Sequence, residues 1–243
     1  MAVEEAHDRR GRRTRGSSGL LEREATLRAI DEVLDSARGG VASALVIMGH
    51  PGMGKTRLYE ASLDGARGRG LKVLRAAGAE LEQNLAFGVA AQIARASLAD
   101  IGDSDRRALL DEAPSLVRAL VGSGLLESDH GTRPDLAVSH ALFALLGETL
   151  DTPGLLAIDD LQWCDAASLE FVLYLLQRLD ELPVSLVMTG RPGAHAQLGE
   201  ILDLIAAHPR VRVEPLTPLG SRAVAELVQQ ALGSRANAKL VQT

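Results

Sequence analysis

The sequence predicts an α/β fold in which a parallel β-sheet lies between layers of helices. Three largely apolar segments carry this prediction, and they span residues 44–48, 73–77 and 155–158. Short apolar runs that end in turns are typical of strands buried on both faces, as in parallel sheets. Hydrophobic residues make up 46% of the chain and aromatic residues 2%, so we expect a core of aliphatic side chains between layers of helix and sheet.

A glycine-rich loop, GHPGMGKT at residues 49–56, follows the first apolar segment and precedes a helical pattern. Such a loop between a strand and a helix is typical of a phosphate-binding P-loop, because its backbone N–H groups curl around phosphate oxygens. Lys55 is expected to contact the β- and γ-phosphates, and the Thr56 hydroxyl is expected to bind Mg²⁺. The predicted nucleotide-binding residues are Gly49, Pro51, Gly52, Met53, Gly54, Lys55, Thr56 and Arg57.

The third apolar segment ends in two acids, Asp159 and Asp160. A buried parallel strand delivers such residues to the ligand edge of the sheet, so downstream of a P-loop this segment is predicted to be a Walker B strand. Asp159 is expected to hold Mg²⁺ through water, and Asp160 is the candidate to orient or deprotonate the attacking water. The predicted catalytic residues are Asp160, Lys55 and Arg191.

Arg191 enters this set because it follows another predicted strand, residues 184–189. A strand next to Walker B that ends in Thr-x-Arg places a donor and a cation near the γ-phosphate, where they sense its presence. The alternative is that Arg191 is a surface residue of a turn.

The rest of the chain is predicted to be mainly helical. Apolar periodicity and turn residues place helices near 20–38, 55–67, 87–98, 105–121, 135–150, 166–180, 195–206 and 221–232. A short strand is expected at 211–213. Glu80 and Glu82 have the chemistry of metal ligands, but without a partner constellation we interpret them as solvated loop charges.

Composition excludes several classes of partner. The net charge is −6, so the overall charge of the chain does not favour binding to nucleic acid. Cys164 is the only cysteine, so no intrachain disulfide can form, which fits a cytoplasmic location. No apolar run reaches the roughly 18 residues of a membrane span, so no membrane partner is expected. Residues 1–18 are Arg-rich and are predicted to be a disordered arm, either a solvated tail or a weak nucleic-acid contact.

Four segments together resemble a known family, the ATPase module of large ATP-binding LuxR-type regulators, which belong to the STAND class of AAA+ proteins. The segments are GHPGMGKT at 49–56, GAELE with FGV and Gln92 across 78–92, DDLQWCD at 159–165, and Arg191-Pro192. The first motif is generic, whereas the second and third are much more specific. The resemblance runs from about Leu20 to Gly233.

This resemblance implies an ATP-dependent switch, in which ATP binding or slow Mg²⁺-dependent hydrolysis changes assembly and, through attached domains, transcription. It also implies a five-stranded parallel P-loop sheet of order 5-1-4-3-2. On this basis residues 19–218 are expected to form the NTPase domain, and 219–243 the start of a truncated helical lid. The expected partners are ATP, ADP and further copies of the domain, and no direct DNA binding by this chain is expected.

Three other functions are compatible with parts of this sequence. A non-catalytic regulatory or interaction domain would keep the sheet but bind nucleotide weakly. A small-molecule kinase would use the same loop but needs an acceptor pocket, which the sequence does not locate. Direct DNA binding would depend on the basic arm and weaken steeply with salt.

Overall fold

The structure is a computed structural model of the 243-residue chain, and it describes residues 20–123, 136–193 and 196–232. The predicted basic arm of residues 1–18 lies outside this described part. Most of the polar stretch between the helices predicted at 105–121 and 135–150 lies outside it too.

The described residues form five strands and nine α-helices, with one α-helix between most consecutive strands and four α-helices between the second and third strands. The strands are β1 (Ala44–Met48), β2 (Lys72–Ala77), β3 (Gly154–Asp159), β4 (Val184–Gly190) and β5 (Val211–Pro215). The helices are α1 (Glu24–Arg38), α2 (Lys55–Gly68), α3 (Gly88–Ser97), α4 (Asp103–Glu112), α5 (Ser115–Ser123), α6 (Leu136–Thr149), α7 (Ala166–Gln177), α8 (Ala196–Ala207) and α9 (Ser221–Leu232). Three short 3₁₀ helices cover Glu80–Glu82, Leu161–Trp163 and Leu179–Glu181.

All five strands pair in parallel, in the spatial order β2-β3-β4-β1-β5. Read from the other edge, this is the order 5-1-4-3-2, so the predicted fold class is confirmed. Ala44 at the start of β1 lies opposite Leu186 of β4 and Val211 of β5. Because adjacent strands run in the same direction, the loops that follow β1, β3 and β4 meet at one edge of the sheet.

The sheet separates two hydrophobic clusters. In β1 the side chains alternate, since Ala44 and Val46 belong to the larger cluster while Leu45 and Ile47 belong to the smaller one. The smaller cluster contains buried residues of α1 and α2, and the larger one contains residues of α3, α6 and α7. The domain is therefore a three-layer sandwich of helices, sheet and helices.

Two helix predictions were wrong in their bounds. The predicted single helix at 105–121 is divided into α4 and α5 by Pro114, and Ala113 is extended with ψ of 148°. Proline clashes with a helical conformation of the residue before it, which explains the break. The first helix begins at Glu24 rather than near Leu20, because Glu22 adopts a left-handed φ of 54°.

The remaining helix bounds agree with the prediction to within a few residues, although the pattern at 166–180 ends its α-helix at Gln177 and continues as a 3₁₀ turn. Within the described ranges, no helix is both long and apolar enough to cross a membrane.

Candidate functional site

The predicted phosphate loop, residues 49–54, leaves β1 and leads into α2 at the ligand edge of the sheet. Gly52 and Gly54 have φ of 79° and 86°, a left-handed conformation in which a side chain would be strained. The first backbone donor of α2 that is satisfied locally is Leu58, which donates to the Gly54 carbonyl at 3.2 Å. The N–H groups of the first turn of an α-helix lack partners within the helix, so those at Lys55 and Thr56 are free to bind an anion.

Lys55 lies inside the loop that precedes it. Its side chain is buried, and Nζ donates to the carbonyl oxygens of Gly49 at 3.0 Å and His50 at 3.2 Å. Burial lowers the pKa of the Lys55 ammonium, and this effect outweighs the opposing influence of Asp160 and Asp159. Arg191 lowers the same pKa further. Asp159, Asp160 and Arg191 therefore all lie close enough to Lys55 to influence its charge.

Asp159, which ends β3, and Asp160, which follows it, are both held by a residue of β4. Thr189 is fully buried and donates its hydroxyl hydrogen to Asp159 Oδ1. The backbone N–H of Asp160 donates to Thr189 Oγ1 at 2.9 Å and to Asp159 Oδ1 at 3.1 Å. Asp159 is itself buried, so this network fixes its carboxylate at the end of the strand. The sequence placed Thr189 at this edge but did not identify its bond to Asp159.

Asp160 turns the chain out of the sheet. Its φ of 55° and ψ of 56° lie in the left-handed region, which is uncommon for a residue other than glycine. Its carboxylate oxygen Oδ1 accepts a hydrogen bond from Gln162 Nε2 at 2.7 Å, and Gln162 is almost fully buried. The sequence identifies Gln162 only as part of the DDLQWCD motif. Its position two residues after Asp160 is the one feature of the sequence that could suggest a contact between the two side chains.

The segment that follows Asp160 is fixed by Asp165. As predicted, Asp165 caps α7, and its Oδ1 accepts from the Ser168 N–H at 2.8 Å. The same carboxylate accepts from the N–H groups of Phe87 at 2.8 Å and Val89 at 3.4 Å. It thereby joins the start of α3 to the start of α7. The FGV and DDLQWCD segments are therefore in direct contact through the Asp165 carboxylate.

Gly78 packs directly against the same segment. A Cβ atom at this position would lie 2.6 Å from the Asp160 carbonyl oxygen and 2.6 Å from the Trp163 carbonyl carbon. Cys164, within this segment, is buried, and burial raises the pKa of its thiol. The segment 160–165 is therefore a closely packed shelf beneath the ligand edge.

A cavity of about 300 Å³ opens beside the phosphate loop. It is lined by His50 and Pro51 of the loop, by Gln162 and Trp163, and by the segment 191–193. The Arg191 guanidinium carbon lies 5.4 Å from the centroid of the Trp163 ring, within cation–π range. The structure thus places Arg191 beside the loop, as the sensor interpretation requires.

Arg23 is a residue at this edge that the sequence did not single out. It is buried, and its guanidinium donates to the carbonyl oxygens of Met53 at 3.3 Å and Thr217 at 3.0 Å. The neighbouring Glu22 carboxylate accepts from the Gly220 N–H at 2.7 Å. These contacts join the phosphate loop to the segment that leads into α9. No periodicity distinguishes a buried arginine from the exposed ones of α1.

Within the described ranges, the remaining acidic candidates form no hydrogen bond or ion pair with these residues, although Gln83, next to Glu82, donates to the Gln162 carbonyl at 2.8 Å. Glu80 and Glu82 are exposed on the 3₁₀ helix after β2. In the described part of the chain, no group of three or more His, Cys, Asp or Glu residues is arranged to hold a metal ion.

Several solved structures are similar to this chain. The ORC2 protein of Aeropyrum pernix, in ADPNP and ADP complexes, is 14% identical with a TM-score of 0.50, over 86% of this chain and 51% of that one. DnaA of Aquifex aeolicus bound to AMPPCP is 12% identical with a TM-score of 0.49, over 90% and 55%. RuvB of Thermotoga maritima is 13% identical with a TM-score of 0.44, over 86% and 50%.

These likenesses concern the fold alone, and the chain spans about half the length of the structures that it matches. No curated protein matches the sequence. The family model described as "AAA ATPase domain" matches residues 19–189, which include the predicted phosphate loop and both predicted Walker B acids. Because this match covers most of the chain, the protein belongs to the AAA ATPase domain family.

Proposed function

We propose that the chain binds ATP together with Mg²⁺ at the carboxyl edge of its sheet and acts as a nucleotide-dependent switch. One observation carries this proposal: Lys55 lies buried at the start of α2, within electrostatic reach of Asp159, Asp160 and Arg191. A cation, unpaired helix N–H groups and two carboxylates at one edge supply what a nucleoside triphosphate and its metal require.

Each residue has a separate role in this proposal. The loop N–H groups and Lys55 bind the β- and γ-phosphates, and Arg57 flanks the phosphates from the next position of α2. Thr56 and Asp159 fit Mg²⁺ because they supply oxygen ligands, directly or through water. Mg²⁺ neutralises phosphate charge when it is bound. Arg191 detects the γ-phosphate from the end of β4, and Asp160 receives a proton from the attacking water in a slow hydrolysis.

The STAND class and a role in transcription rest on the motifs of the sequence, above all DDLQWCD at 159–165 and GAELE with FGV across 78–89. In this proposal residues 19–218 are the switch domain, and α9 begins a helical lid. The contacts of Arg23 and Glu22 support this arrangement, because they join the loop to the segment before α9. The nucleotide state of the loop would thus reach the next domain and change self-association.

Equilibrium titration with a fluorescent ATP analogue, with and without Mg²⁺, tests the proposal. Wild-type protein should bind saturably at micromolar concentrations and more tightly with Mg²⁺. Asp159→Ala should lose the Mg²⁺ enhancement, whereas Asp151→Ala, an exposed acid just before the opposite end of β3, should keep it. Absence of saturable binding at millimolar nucleotide would contradict the proposal and favour a non-catalytic interaction domain.

A further inference from the structure

Two residues that line the cavity beside the phosphate loop, Gln162 and Arg191, each carry a buried polar atom. Gln162 Oε1 is an acceptor and Arg191 Nε is a donor, and neither has a hydrogen-bond partner among the described residues. Both residues line the same cavity, and Gln162 is only 1% exposed. A buried polar atom without a partner costs free energy, so two such atoms at one cavity indicate that something polar belongs there.

The orientation of the Gln162 amide follows from its neighbour. Its Nε2 donates to Asp160 Oδ1 at 2.7 Å, and a carboxylate cannot accept from the amide oxygen. Turning the amide over would therefore place two acceptors against each other. The bond to Asp160 consequently leaves Oε1 as the free end of the Gln162 side chain.

The cavity also has room for a small polar molecule beside the phosphate loop. It borders His50 and Pro51 of the phosphate loop on one side and the segment after β4 on the other. Its volume of about 300 Å³ exceeds the roughly 30 Å³ that one water molecule occupies in the liquid. A water molecule is both a donor and an acceptor, so it has the chemistry to pair with an acceptor such as Gln162 Oε1 and with a donor such as Arg191 Nε.

We propose that this cavity binds the water molecule that attacks the γ-phosphate, and that Gln162 is a catalytic residue that orients it. The inference rests on the ATP binding proposed above. Gln162 Oε1 accepts one water hydrogen, and Arg191 Nε donates to the water oxygen. The Gln162 amide also fixes the Asp160 carboxylate through Nε2, so one side chain sets the relative position of water and base.

The reaction is the hydrolysis of ATP to ADP and inorganic phosphate. The water oxygen forms a bond to the γ-phosphorus while the bond from that phosphorus to the β–γ bridging oxygen breaks. The electron pair of the broken bond stays on the bridging oxygen of ADP. The proton that water loses passes to the Asp160 carboxylate and then to solvent. An oriented water and a nearby base lower the barrier by positioning and by proton transfer.

The test measures single-turnover hydrolysis at saturating ATP, and nucleotide affinity separately, on the full chain. Gln162→Ala and the bulkier Gln162→Met should each hydrolyse ATP about 100-fold more slowly than wild type, with affinity for the ATP analogue changed less than about threefold. Gln92→Ala is the control, because within the described ranges the Gln92 side chain hydrogen-bonds the backbone of Ala77 alone, and this variant should leave both quantities unchanged. Thermal melting identifies any variant that has not folded.

A loss of rate without loss of affinity distinguishes orientation of water from a structural role. Wild-type hydrolysis rates in a folded Gln162→Met protein would overturn the inference and leave ATP binding intact. Wild-type protein that binds ATP without hydrolysing it would also overturn the inference. Wild-type protein that binds no nucleotide would instead contradict the proposed function itself.

Discussion

Thr189, at the end of β4, donates its hydroxyl hydrogen to the carboxylate of Asp159, at the end of β3. The same hydroxyl oxygen accepts from the Asp160 backbone N–H at 2.9 Å. One buried side chain thus fixes two consecutive acids from the neighbouring strand. A change at Thr189 should therefore affect the site through Asp159 even without direct contact to a ligand.

Thr189→Val keeps the shape of the side chain but removes the hydroxyl. Leaving buried polar groups without a partner should lower the free energy of unfolding by about 1–3 kcal/mol. The gain in nucleotide affinity on adding Mg²⁺ should also shrink, because Asp159 is no longer held. Denaturant unfolding and analogue titration measure the two effects.

Ser185→Ala is the matched control for Thr189→Val. Ser185 is also fully buried on β4, but its hydroxyl accepts from the Ser43 N–H at the opposite end of the sheet. This variant should lose stability without a change in Mg²⁺ dependence. An equal loss of Mg²⁺ dependence in both variants would show that the Thr189 bond has no special role.

Gly78→Ala tests the packing of the shelf formed by residues 160–165. The new Cβ would lie 2.6 Å from backbone atoms of Asp160 and Trp163, which cannot rotate away. We expect a loss of about 1–3 kcal/mol or more in unfolding free energy. Gly122→Ala, where a Cβ would meet nothing within 4 Å, should cost nothing. Equal stability of the two variants would contradict the described approach of Gly78 to the shelf.

Asp165→Ala should be more damaging than the loss of a helix cap alone. The change removes the cap of α7 and also leaves the buried N–H groups of Phe87 and Val89 without their acceptor. Together these effects should lower the free energy of unfolding by about 2–4 kcal/mol. Asp105→Ala, in the exposed first turn of α4, should cost less than about 1 kcal/mol. Chemical denaturation that finds equal costs would contradict the bridging role of Asp165.

Tyr59 should make the fold sensitive to alkali. Burial, reinforced by the charge of Asp159, raises the pKa of Tyr59 from its ordinary value of 10.0 to about 12. The folded state therefore binds the phenol proton more tightly than the unfolded chain does. This contribution to stability is complete below pH 10 and is lost as the pH rises through about 12.

Comparison with Tyr59→Phe isolates this effect, because the other groups that titrate at high pH are common to both proteins. The difference in unfolding free energy between wild type and Tyr59→Phe should fall as the pH rises from 10 to 12. Ultraviolet absorbance of the phenolate reports the titration directly. A difference independent of pH would show that Tyr59 ionises equally in the folded and unfolded states.

The sequence predicted the sheet and the loop because both depend on local patterns. Apolar runs that end in Gly-rich or acidic residues identified β1 and β3, and the resemblance supplied the strand order. The break between α4 and α5 at Pro114 does not follow from apolar periodicity, although the residue before a proline disfavours the helical conformation.

Most of the site's supporting contacts were beyond the sequence. Thr189 with Asp159, and Asp165 with Phe87, are pairs separated by 30 and 78 residues. Neither pair lies within one helix or strand, so the periodicity of a single element cannot reveal the contact. Arg23 could be recognised only after its burial was known. Long-range hydrogen bonds depend on how the layers pack, and a single sequence does not encode them as a readable pattern.

The central claim is that the loop at 49–56 binds nucleotide phosphate through Lys55. Titration of Lys55→Ala and Lys72→Ala with a fluorescent ATP analogue and Mg²⁺ tests it most directly. Lys72 begins β2 and so lies at the amino ends of the strands, opposite the phosphate loop, where Nζ donates to the Thr149 carbonyl. Because Lys55→Ala loses a charged hydrogen bond to phosphate, its affinity for the ATP analogue should be about 10- to 100-fold lower than that of wild type. Lys72→Ala should keep wild-type affinity. Equal affinity of the two folded variants would contradict the claim.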